Sequence, residues 1–454
     1  MVLSKKQLRY YYWIVLEFTK KNARLLLLSF FISVIFIISI VSLSPYLINI
    51  TTSHKIVVGL TGVTDIKSIP DTVLSKISNG LIFIDEKGKV VPILAERWEV
   101  INNGKEYKFY LRKNLFWNDG AKFTAHDINY SFKDIEIIVP NDYEIDFKLK
   151  KQLPIFPTYL TQPIIKRPLV GVAGLYKVER SKVKYGNVTE LSLSPTKQTY
   201  PPIVYKFYDS ESKLINAYKL GQINEMTITK KSVADIFSSW KNTEIVKTID
   251  YSRLLTLFFN LNGDAFKYKE RKELRQAIAM LLSHEDYKEQ GELASSPIPP
   301  ISWAFNASIH QPIYNEEFVQ KMLRPSEKKT KITLSTYEDY LDIATNIQEK
   351  LANTSLKVDV NILTYDKPTS YDMLLAFWKV PADPDQYYYW HSTQTQGNIT
   401  GYKSEKIDLL LEQGRETLDP EKRKEIYNTF QKVVVDDVPA YFFYYPYIYT
   451  IKRK

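Results

Sequence analysis

The segment PILAERWEVINNGKEYKFYLRKNLFWNDGAKFTAHDINYSF, residues 92–132, carries more information about the fold than any other part of this 454-residue chain. Within it, residues 107–111 (YKFYL) alternate in the way of a half-buried strand, and residues 144–149 (EIDFKL) do the same. By contrast, residues 271–283 place an apolar stripe on one face of a helix. This change of periodicity predicts an α/β or α+β protein rather than a helical bundle or a β-sandwich.

A strand, a helix and a strand follow one another in residues 331–336 (KITLST), 340–353 (YLDIATNIQEKLAN) and 357–363 (KVDVNIL). Such a unit usually builds a parallel sheet, and residues 372–377 (DMLLAF) suit a further buried strand. Open α/β sheets bind ligands in the crevice outside the carboxyl ends of their strands. The segment FWKVPADPDQYYYW, residues 377–390, begins at that edge.

A helix is predicted to begin at Asp419-Pro420, with the aspartate as N-cap and the proline at the first helical position. Its apolar stripe consists of Ile426, Phe430, Val433 and Val434, and Pro439 ends it before a C-terminal strand.

The chain contains no cysteine, which excludes disulfides, thiolate metal sites and a lipid-modified N-terminal cysteine. Its net charge is +10, and it falls to +5 (55 basic against 50 acidic residues) once residues 1–24 are set aside. That is an ordinary solvated surface, and nucleic-acid binding is not expected.

Residues 25–48 (LLLLSFFISVIFIISIVSLSPYLI) contain no charged residue and are long enough to cross a bilayer as a helix. The preceding residues 1–24 carry six basic residues against one acid, so the positive-inside rule places them in the cytoplasm. The sequence predicts a single-pass anchor in the plasma membrane with the main domain outside. A cleaved signal peptide is the alternative, although its apolar core is normally shorter and ends at a small-x-small site.

Motifs of the common enzyme classes are absent: there is no G-x-S-x-G, H-E-x-x-H, P-loop or G-x-G-x-x-G sequence. The five histidines are scattered and predict no metal site. Asp383 and Asp385 are an acid pair that solvation or helix capping explains as well as glycoside chemistry does. We therefore expect neither an enzyme nor a cofactor.

The order of motifs in residues 92–132 resembles the signature of the peptide and nickel class of solute-binding proteins that serve ABC importers. That signature is Leu-Ala-acid-x-Trp, a glycine turn, an alternating strand that ends in Leu-Arg-Lys, an aromatic-x-Asp-Gly turn and a Thr-Ala-x-Asp helix start. The matching residues are Leu94, Ala95, Glu96, Trp98, Leu111, Arg112, Lys113, Trp117, Asp119, Gly120, Thr124, Ala125 and Asp127.

Further matches follow in the order that the class has, and together they cover nearly all of residues 55–454. They are GVAGLYKV (171–178), LGQIN (220–224), ELRQAIAMLL (273–282), SPIPPISWAFN (296–306), ADPDQ (382–386), IDLLLEQGRETLDPEKRKEIY (407–427) and VPAYFFYY (438–445).

The resemblance implies an α/β protein with α+β elements and the bilobal, type II fold of periplasmic binding proteins, with an accessory subdomain and one preceding transmembrane helix. The implied boundaries are 1–24 for a cytoplasmic basic leader, 25–48 for the anchor, 55–82 with 170–258 and 440–454 for lobe I, 83–169 for the accessory subdomain of lobe I, and 259–439 for lobe II.

The implied function is that of a membrane-anchored, extracytoplasmic component of a bacterial ABC importer. It would bind a peptide or another small solute and deliver it to permease subunits, which are driven by a cytoplasmic ATPase. A membrane-tethered sensor or surface-interaction protein with the same fold is the alternative. The 24-residue cytoplasmic segment is too short for a signalling domain, so a sensor would need a partner in the membrane.

The pocket is expected to use aromatic side chains, which give a large rigid contact area, together with a few polar groups. The candidates for ligand binding are Trp378, Asp383, Asp385, Tyr387, Trp390, Asn398, Tyr402, Trp303 and Phe443. Phe443 is the equivalent, by spacing from Pro439, of a pocket tyrosine of the class. Core packing is the alternative for the aromatic residues, helix capping for Asp383, and turn formation for Asn398.

Val380 stands where peptide-binding relatives often have an aspartate that receives the α-ammonium group of the peptide. Two possibilities follow. Either Asp383 or Asp385 supplies the charge from a neighbouring position, or the ligand is not held by its amine.

Overall fold

The computed structural model describes residues 5–52, 55–62, 65–85, 88–282, 287–364 and 370–454, and between 5 and 52 it describes side chains only at 9 and 12–39. The chain divides into two compact units, Met1–Ile56 with Gln198–Pro202 and Val57–Lys197 with Ile203–Lys454. The helices are α1 (Lys5–Lys21), α2 (Ala23–Thr52), α3 (Asp71–Ile77), α4 (Glu211–Lys219), α5 (Lys231–Ser238), α6 (Lys272–Leu281), α7 (Glu316–Met322), α8 (Leu341–Leu351), α9 (Tyr387–Trp390), α10 (Glu405–Glu416) and α11 (Pro420–Asp437), with 3-10 helices at Asn102–Gly104, Ala125–Asp127, Phe156–Thr161 and Glu338–Tyr340.

The strands form one large sheet and three smaller ones. They are β1 (Ile56–Thr61), β2 (Ile82–Ile84), β3 (Val90–Pro92), β4 (Ala95–Ile101), β5 (Glu106–Leu111), β6 (Ile135–Asn141), β7 (Glu144–Leu149), β8 (Ile165–Lys166), β9 (Val170–Gly171), β10 (Tyr176–Lys184), β11 (Asn187–Pro195), β12 (Ile203–Tyr208), β13 (Glu225–Ile228), β14 (Thr243–Ile249), β15 (Arg253–Phe259), β16 (Gly291–Leu293), β17 (Thr330–Tyr337), β18 (Leu356–Leu363), β19 (Met373–Lys379) and β20 (Ala440–Arg453).

The N-terminal unit exposes most of its apolar side chains between Tyr12 and Ser39. Among the described residues, no single helix is both long and apolar enough to cross a membrane. The pair Tyr12–Lys21 and Ala23–Ser39 meets the requirement together, with a bend of 80° between its members. The anchor at 25–48 stays a prediction, and its side chains beyond Ser39 lie outside the described residues.

The large sheet has the strand order β10-β11-β12-β1-β13-β20-β15-β19-β17-β18, and β14 and β16 also pair with β20. We call β10, β11, β12, β1, β13 and β14 the β13 side, and β15 to β19 the β15 side. Strand β20 belongs to both, because residues 440–444 pair with β15 whereas residues 449–452 pair with β13. One strand thus joins the two halves of the sheet.

The strand, helix and strand predicted in residues 331–363 are confirmed as β17, α8 and β18. The two strands pair in parallel, and β17 also pairs in parallel with β19. Helix α8 buries Ile343, Ala344, Ile347 and Leu351, the stripe that faces the sheet.

The helix predicted at Asp419-Pro420 is also confirmed as α11. The Asp419 side chain accepts hydrogen bonds from the backbone N–H groups of Glu421 and Lys422, and the helix runs to Asp437. The predicted stripe was only partly right, because Tyr427 and Gln431 are buried beside Phe430 and Val434, whereas two predicted members, Ile426 and Val433, are half-buried.

The segment 92–132 builds much of a separate antiparallel sheet with the order β4-β5-β7-β6. Strand β5 alternates buried and half-buried side chains along its whole length, as its sequence predicts. At the predicted helix start, the Thr124 N–H and hydroxyl both donate to Asp127 Oδ2, at 2.7 and 3.1 Å. This capping box begins a single 3-10 turn rather than a long helix.

Three apolar cores are formed by the residues that the structure describes. One covers the β15 side and extends from Leu254 to Tyr445, one lies on the β13 side around Leu214 and Ile451, and one fills the four-stranded sheet around Phe109 and Phe147. The exact domain boundaries inferred from the sequence stay predictions.

Candidate functional site

A cavity of about 520 Å³ lies between the β13 side and the β15 side, and β20 also borders it. The β13 side contributes Thr61, Glu211, Thr227, Thr229, Lys230 and Ser232, and the β15 side contributes Arg253, Asp339, Tyr340, Asp342, Ile343 and Phe377. Its volume falls within the range that small-molecule sites occupy.

The cavity lies at the carboxyl ends of parallel strands. Strands β1 and β13 are parallel neighbours, and their last residues, Thr61 and Ile228, both line it. On the other side, β17 ends at Tyr337, and the turn that follows contributes Asp339 and Tyr340. Because parallel strands point the same way, their loops converge at one edge, where α/β proteins bind ligands.

Charges of both signs line this cavity. Lys231 is neutralised by an ion pair with Glu289, which lies on the turn before β16. Arg253, Asp339 and Asp342 take part in no ion pair with the rest of the described chain. Lys230 and Glu211 also line the cavity without an ion pair to the described chain, so the site offers uncompensated cations and uncompensated carboxylates to a bound molecule.

An aromatic wall adjoins Arg253. The rings of Tyr340 and Phe377 meet edge to face at 5.2 Å, and those of Phe377 and Tyr444 at 6.1 Å. Burial raises the pKa of Tyr444, the charge of Asp342 raises it further, and the charge of Arg253 opposes both. Charged and aromatic groups thus act on one another within a single site.

A second cavity, of about 430 Å³, shares Arg253, Tyr340 and Phe377 with the first and also contacts Trp378. Trp378 is only 8% exposed, and its indole Nε1 donates to Thr256 Oγ1 at 3.1 Å. Its ring packs edge to face against Tyr389 at 4.4 Å. Among the nine predicted site residues, Trp378 is the one that reaches the edge of the charged region.

Asp383 and Asp385 are both engaged by arginines. Arg423 donates to both oxygens of Asp383, and Arg415 donates to Asp385 Oδ2 from Nε and Nη2 at 2.9 and 2.7 Å. Both aspartates also accept a backbone N–H two residues ahead, whereas helix α9 begins only at Tyr387 and has Gln386 as its N-cap. These contacts are structural, and a contact with solute remains a prediction.

Tyr387 and Trp390 lie on α9 and point to different surroundings. Tyr387 stacks on His391 with 4.0 Å between ring centroids and lies 3.9 Å from the Arg415 guanidinium carbon. It lines a cavity of about 470 Å³ that also contacts residues 149–153 next to the four-stranded sheet. Trp390 is 1% exposed and packs in the core of the β15 side.

Asn398 and Tyr402 organise a buried turn. Asn398 Nδ2 donates to the carbonyls of His391 and Tyr402, and its Oδ1 accepts from Thr400 and from the Tyr402 N–H. The Tyr402 hydroxyl donates to Asp437 Oδ2 at 2.5 Å. The turn explanation given for Asn398 accounts for its own four hydrogen bonds.

Trp303 and Phe443 also pack inside the protein. Trp303 contacts Tyr427 edge to face at 6.2 Å and lies under the Arg423 guanidinium. Phe443 is 1% exposed and packs edge to face against Tyr287 and Tyr441 at 4.8 Å.

The nine residues are thus not brought together around the charged cavity. The sequence prediction missed Arg253, Tyr340, Phe377 and Tyr444. Tyr444 is adjacent to the predicted Phe443, and Phe377 opens the segment 377–390, so the sequence contained a signal for both. Arg253 had no comparable signal, because a lone arginine before an apolar strand is ordinary surface composition.

A larger cavity, of about 900 Å³, lies on the β15 side and is lined mainly by apolar residues such as Leu281, Leu293 and Ile313. His310 and Tyr314 are the titratable residues that the structure describes on its wall. The 520 Å³ cavity has more of the polar groups that orient a ligand, so we take it as the functional site.

Among the described residues, which omit His54 and His284, no group of three or more His, Asp or Glu side chains is arranged to hold a metal ion. At the position of the ammonium-binding aspartate of relatives, Val380 is 5% exposed, and its N–H donates to the Ser252 carbonyl.

Comparison with known proteins gives consistent results. Residues 89–399, more than half of the chain, match the sequence profile of the bacterial extracellular solute-binding proteins, family 5 Middle. The oligopeptide-binding protein AppA of Bacillus subtilis (strain 168) is 24% identical over 458 residues, which cover 84% of this chain and 82% of that protein.

Two solved structures share the fold. AppA from Bacillus subtilis in complex with a nonapeptide has a TM-score of 0.71 at 22% identity and covers 88% of this chain and 94% of its own. NikZ from Campylobacter jejuni in complex with Ni(L-His) has a TM-score of 0.73 at 21% identity, with the same coverage of both chains.

Proposed function

This chain belongs to the bacterial extracellular solute-binding proteins of family 5 and has their bilobal α/β fold, and we propose that it binds a peptide in the cavity between the β13 side and the β15 side. The peptide is bound without chemical conversion. The two halves close around it by bending where β20 passes from one to the other.

The observation that carries this proposal is the presence of charges of opposite sign without ion-pair partners in one cavity, whose wall includes Arg253, Asp339 and Asp342. A short peptide presents an ammonium group, a carboxylate and backbone amides within a few ångströms. Charged ligand groups satisfy charged side chains that would otherwise be partly desolvated without a partner. The aromatic wall of Tyr340, Phe377 and Tyr444 supplies contact area that does not depend on peptide sequence.

Binding favours the closed form in proportion to the contacts that the peptide makes with both halves at once. A permease that recognises the closed form can distinguish loaded from empty protein. We propose that the chain presents its peptide to ABC permease subunits, driven by a cytoplasmic ATPase, and that residues 25–48 keep it at the outer face of the plasma membrane. The uncharged 24-residue segment and the basic residues before it support the anchor.

The test is mass spectrometry of the solute that co-purifies with the full chain, followed by thermal unfolding with the identified compound. A peptide ligand should stabilise the protein by RT ln(1 + [L]/Kd), about 2.7 kcal/mol at a hundredfold excess over Kd. The peptide should be recovered intact.

Asp339→Asn and Asp342→Asn should weaken that stabilisation, whereas Asp71→Asn, an exposed aspartate on α3, should not. Recovery of a nickel–histidine complex or another non-peptide compound would contradict the peptide assignment. Cleavage of the recovered peptide would contradict the proposal that the protein only binds.

A further inference from the structure

Arg253 is the first residue of β15 and lies at the boundary of the 520 and 430 Å³ cavities. Its guanidinium carbon is 4.6 Å from the centroid of the Phe377 ring, and Nη2 is 3.5 Å from the Tyr340 hydroxyl, a long hydrogen bond. The aromatic contact stabilises the guanidinium beside the ring and leaves most of its N–H donors available.

The other arginines of this region are paired. Arg415 binds Asp385 and Arg423 binds Asp383, each through two nitrogens. In the described part of the chain Arg253 has no carboxylate within ion-pair distance, although it is half-buried. A half-buried cation without an anion is unfavourable, so its placement in a cavity indicates that the anion comes with a ligand.

We propose that the guanidinium of Arg253 binds a carboxylate of the solute, and that in a peptide this is the C-terminal carboxylate. The inference rests on the proposed peptide-binding function and names the group that orients the peptide. Arginine presents parallel N–H donors that match both oxygens of a carboxylate, so the contact is directional as well as electrostatic.

The other charges of the cavity support this orientation of the peptide, with its C-terminus at Arg253. Asp339 and Asp342 follow β17 on the same side as Arg253 and line the same cavity. They disfavour a second anion nearby and favour the ammonium end of the solute. A peptide held by its carboxylate at Arg253 does not require an aspartate at position 380, where this chain has Val380.

The experiment compares two probe mixtures, random di- to pentapeptides with a free C-terminus and the same peptides as C-terminal amides. The full chain in detergent is incubated with each mixture, separated by gel filtration, and the retained peptides are quantified by mass spectrometry. The wild-type chain should retain acids over amides by about 10- to 100-fold, the range of a hydrogen-bonded charge pair.

Arg253→Gln should abolish that preference, and Arg253→Lys, which keeps the charge but not the paired donors, should retain part of it. Lys357→Gln is the control, because Lys357 is an exposed lysine of β18 that lines neither of the two cavities. It removes the same charge from the same side of the sheet and should leave the preference unchanged. Thermal unfolding of each variant verifies that it is folded.

An unchanged preference for acids in Arg253→Gln, or equal retention of acids and amides by the wild-type chain, would overturn the inference while peptide binding stands. Selection of Asp- or Glu-containing amides that depends on Arg253 would move the contact to a side-chain carboxylate and refute the C-terminal assignment. Failure to retain either mixture would refute the proposed peptide function itself, and this inference with it.

Discussion

Arg415 binds the carboxylate of Asp385 through Nε and Nη2, at 2.9 and 2.7 Å from Oδ2. Burial lowers the pKa of Arg415, but the hydrogen bonds and charge of Asp385 outweigh burial and raise it overall. A carboxylate held in this way is not available to a peptide ammonium group. Of the two possibilities left open by Val380, this contact argues against the one in which Asp385 supplies the charge that holds the amine.

We expect Asp385→Asn to lower the free energy of unfolding by about 2–4 kcal/mol, because it leaves a largely buried guanidinium without its anion. The ratio of affinities for free and N-acetylated peptide should stay the same as in the wild-type chain. Urea denaturation and calorimetry measure the two quantities. Asp71→Asn, whose partner Lys379 lies 3.9 Å away at an exposed position, is the stability control. A loss of discrimination between free and acetylated peptide, with unchanged stability, would show that Asp385 is a ligand residue.

Substitutions of the adjacent residues Phe443 and Tyr444 should have different effects, the first on stability and the second on peptide binding. Phe443→Ala should cost about 3–5 kcal/mol of unfolding free energy, because it opens a hole beside Tyr287 and Tyr441. Tyr444→Phe removes one hydroxyl at the cavity and should weaken peptide binding about 2- to 10-fold with little change in stability. If Phe443→Ala instead weakened peptide binding and Tyr444→Phe instead lowered stability, the pocket would lie on the other face of β20.

Asp437 should make the stability of the protein depend on pH. Burial raises its pKa, but hydrogen bonds from Tyr402, Lys272 and Tyr268 outweigh burial and lower the pKa below its ordinary value. A carboxyl group whose pKa is lower in the folded state stabilises fully above its unfolded pKa, about 3.9, and less as pH falls through the folded pKa.

Asp437→Asn should therefore reduce the free energy of unfolding by about 1–3 kcal/mol at pH 7, and the difference from the wild-type chain should shrink below pH 4. Denaturant titrations at several pH values measure this. Asp436→Asn, which removes the exposed neighbour that also pairs with Lys272, should show a much smaller difference. If the stability difference between the wild-type chain and Asp437→Asn grew at acid pH, the pKa of Asp437 would not be lowered by folding.

Arg275 should be required for folding rather than for binding. Its guanidinium is fully buried and donates to the carbonyls of Phe266, Lys267, Asp437 and Val438, which fixes the chain between α11 and β20. Arg275→Met removes the guanidinium donors from these carbonyls, of which that of Lys267 also accepts the backbone N–H of Arg271, and it should cost about 3–5 kcal/mol or prevent folding. Arg271→Met, an exposed neighbour at the start of the same helix, should change stability by less than about 0.5 kcal/mol. If chemical denaturation gave the same change in unfolding free energy for Arg275→Met and Arg271→Met, the buried guanidinium would be dispensable.

The N-terminal segment should remain attached to the mature protein. The six basic residues before residue 25 and the uncharged stretch after it favour an uncleaved anchor. The intact mass of the membrane-extracted protein should therefore include residues 1–24. A mature N-terminus between residues 45 and 55 would show that the segment is a signal peptide.

Local patterns in the sequence predicted the elements well, but they did not indicate which residues line the charged cavity. Asp419-Pro420 and the alternation of 107–111 are determined by neighbours along the chain, so the helix start and strand β5 could be read directly. The side chains of β20 that face the cavity could not be predicted in this way. A β-bulge opposite Leu255 and Thr256 shifts the register by one residue, so that Tyr444 rather than Phe443 lines the cavity. Pairing partners such as Arg415 for Asp385 lie 30 residues apart and have no local signature.

Strand β20 follows every other strand of the large sheet in sequence, yet β13, β14, β15 and β16 all pair with it. At a synthesis rate of about 5–20 residues per second, β15 leaves the ribosome about 10–40 s before its partner does. Throughout that interval the nascent chain presents unpaired edges, which are templates for aggregation. Both halves of the large sheet can therefore be completed only after translation has passed Arg453. A chaperone or export factor that holds the chain extended until then would protect both halves against aggregation.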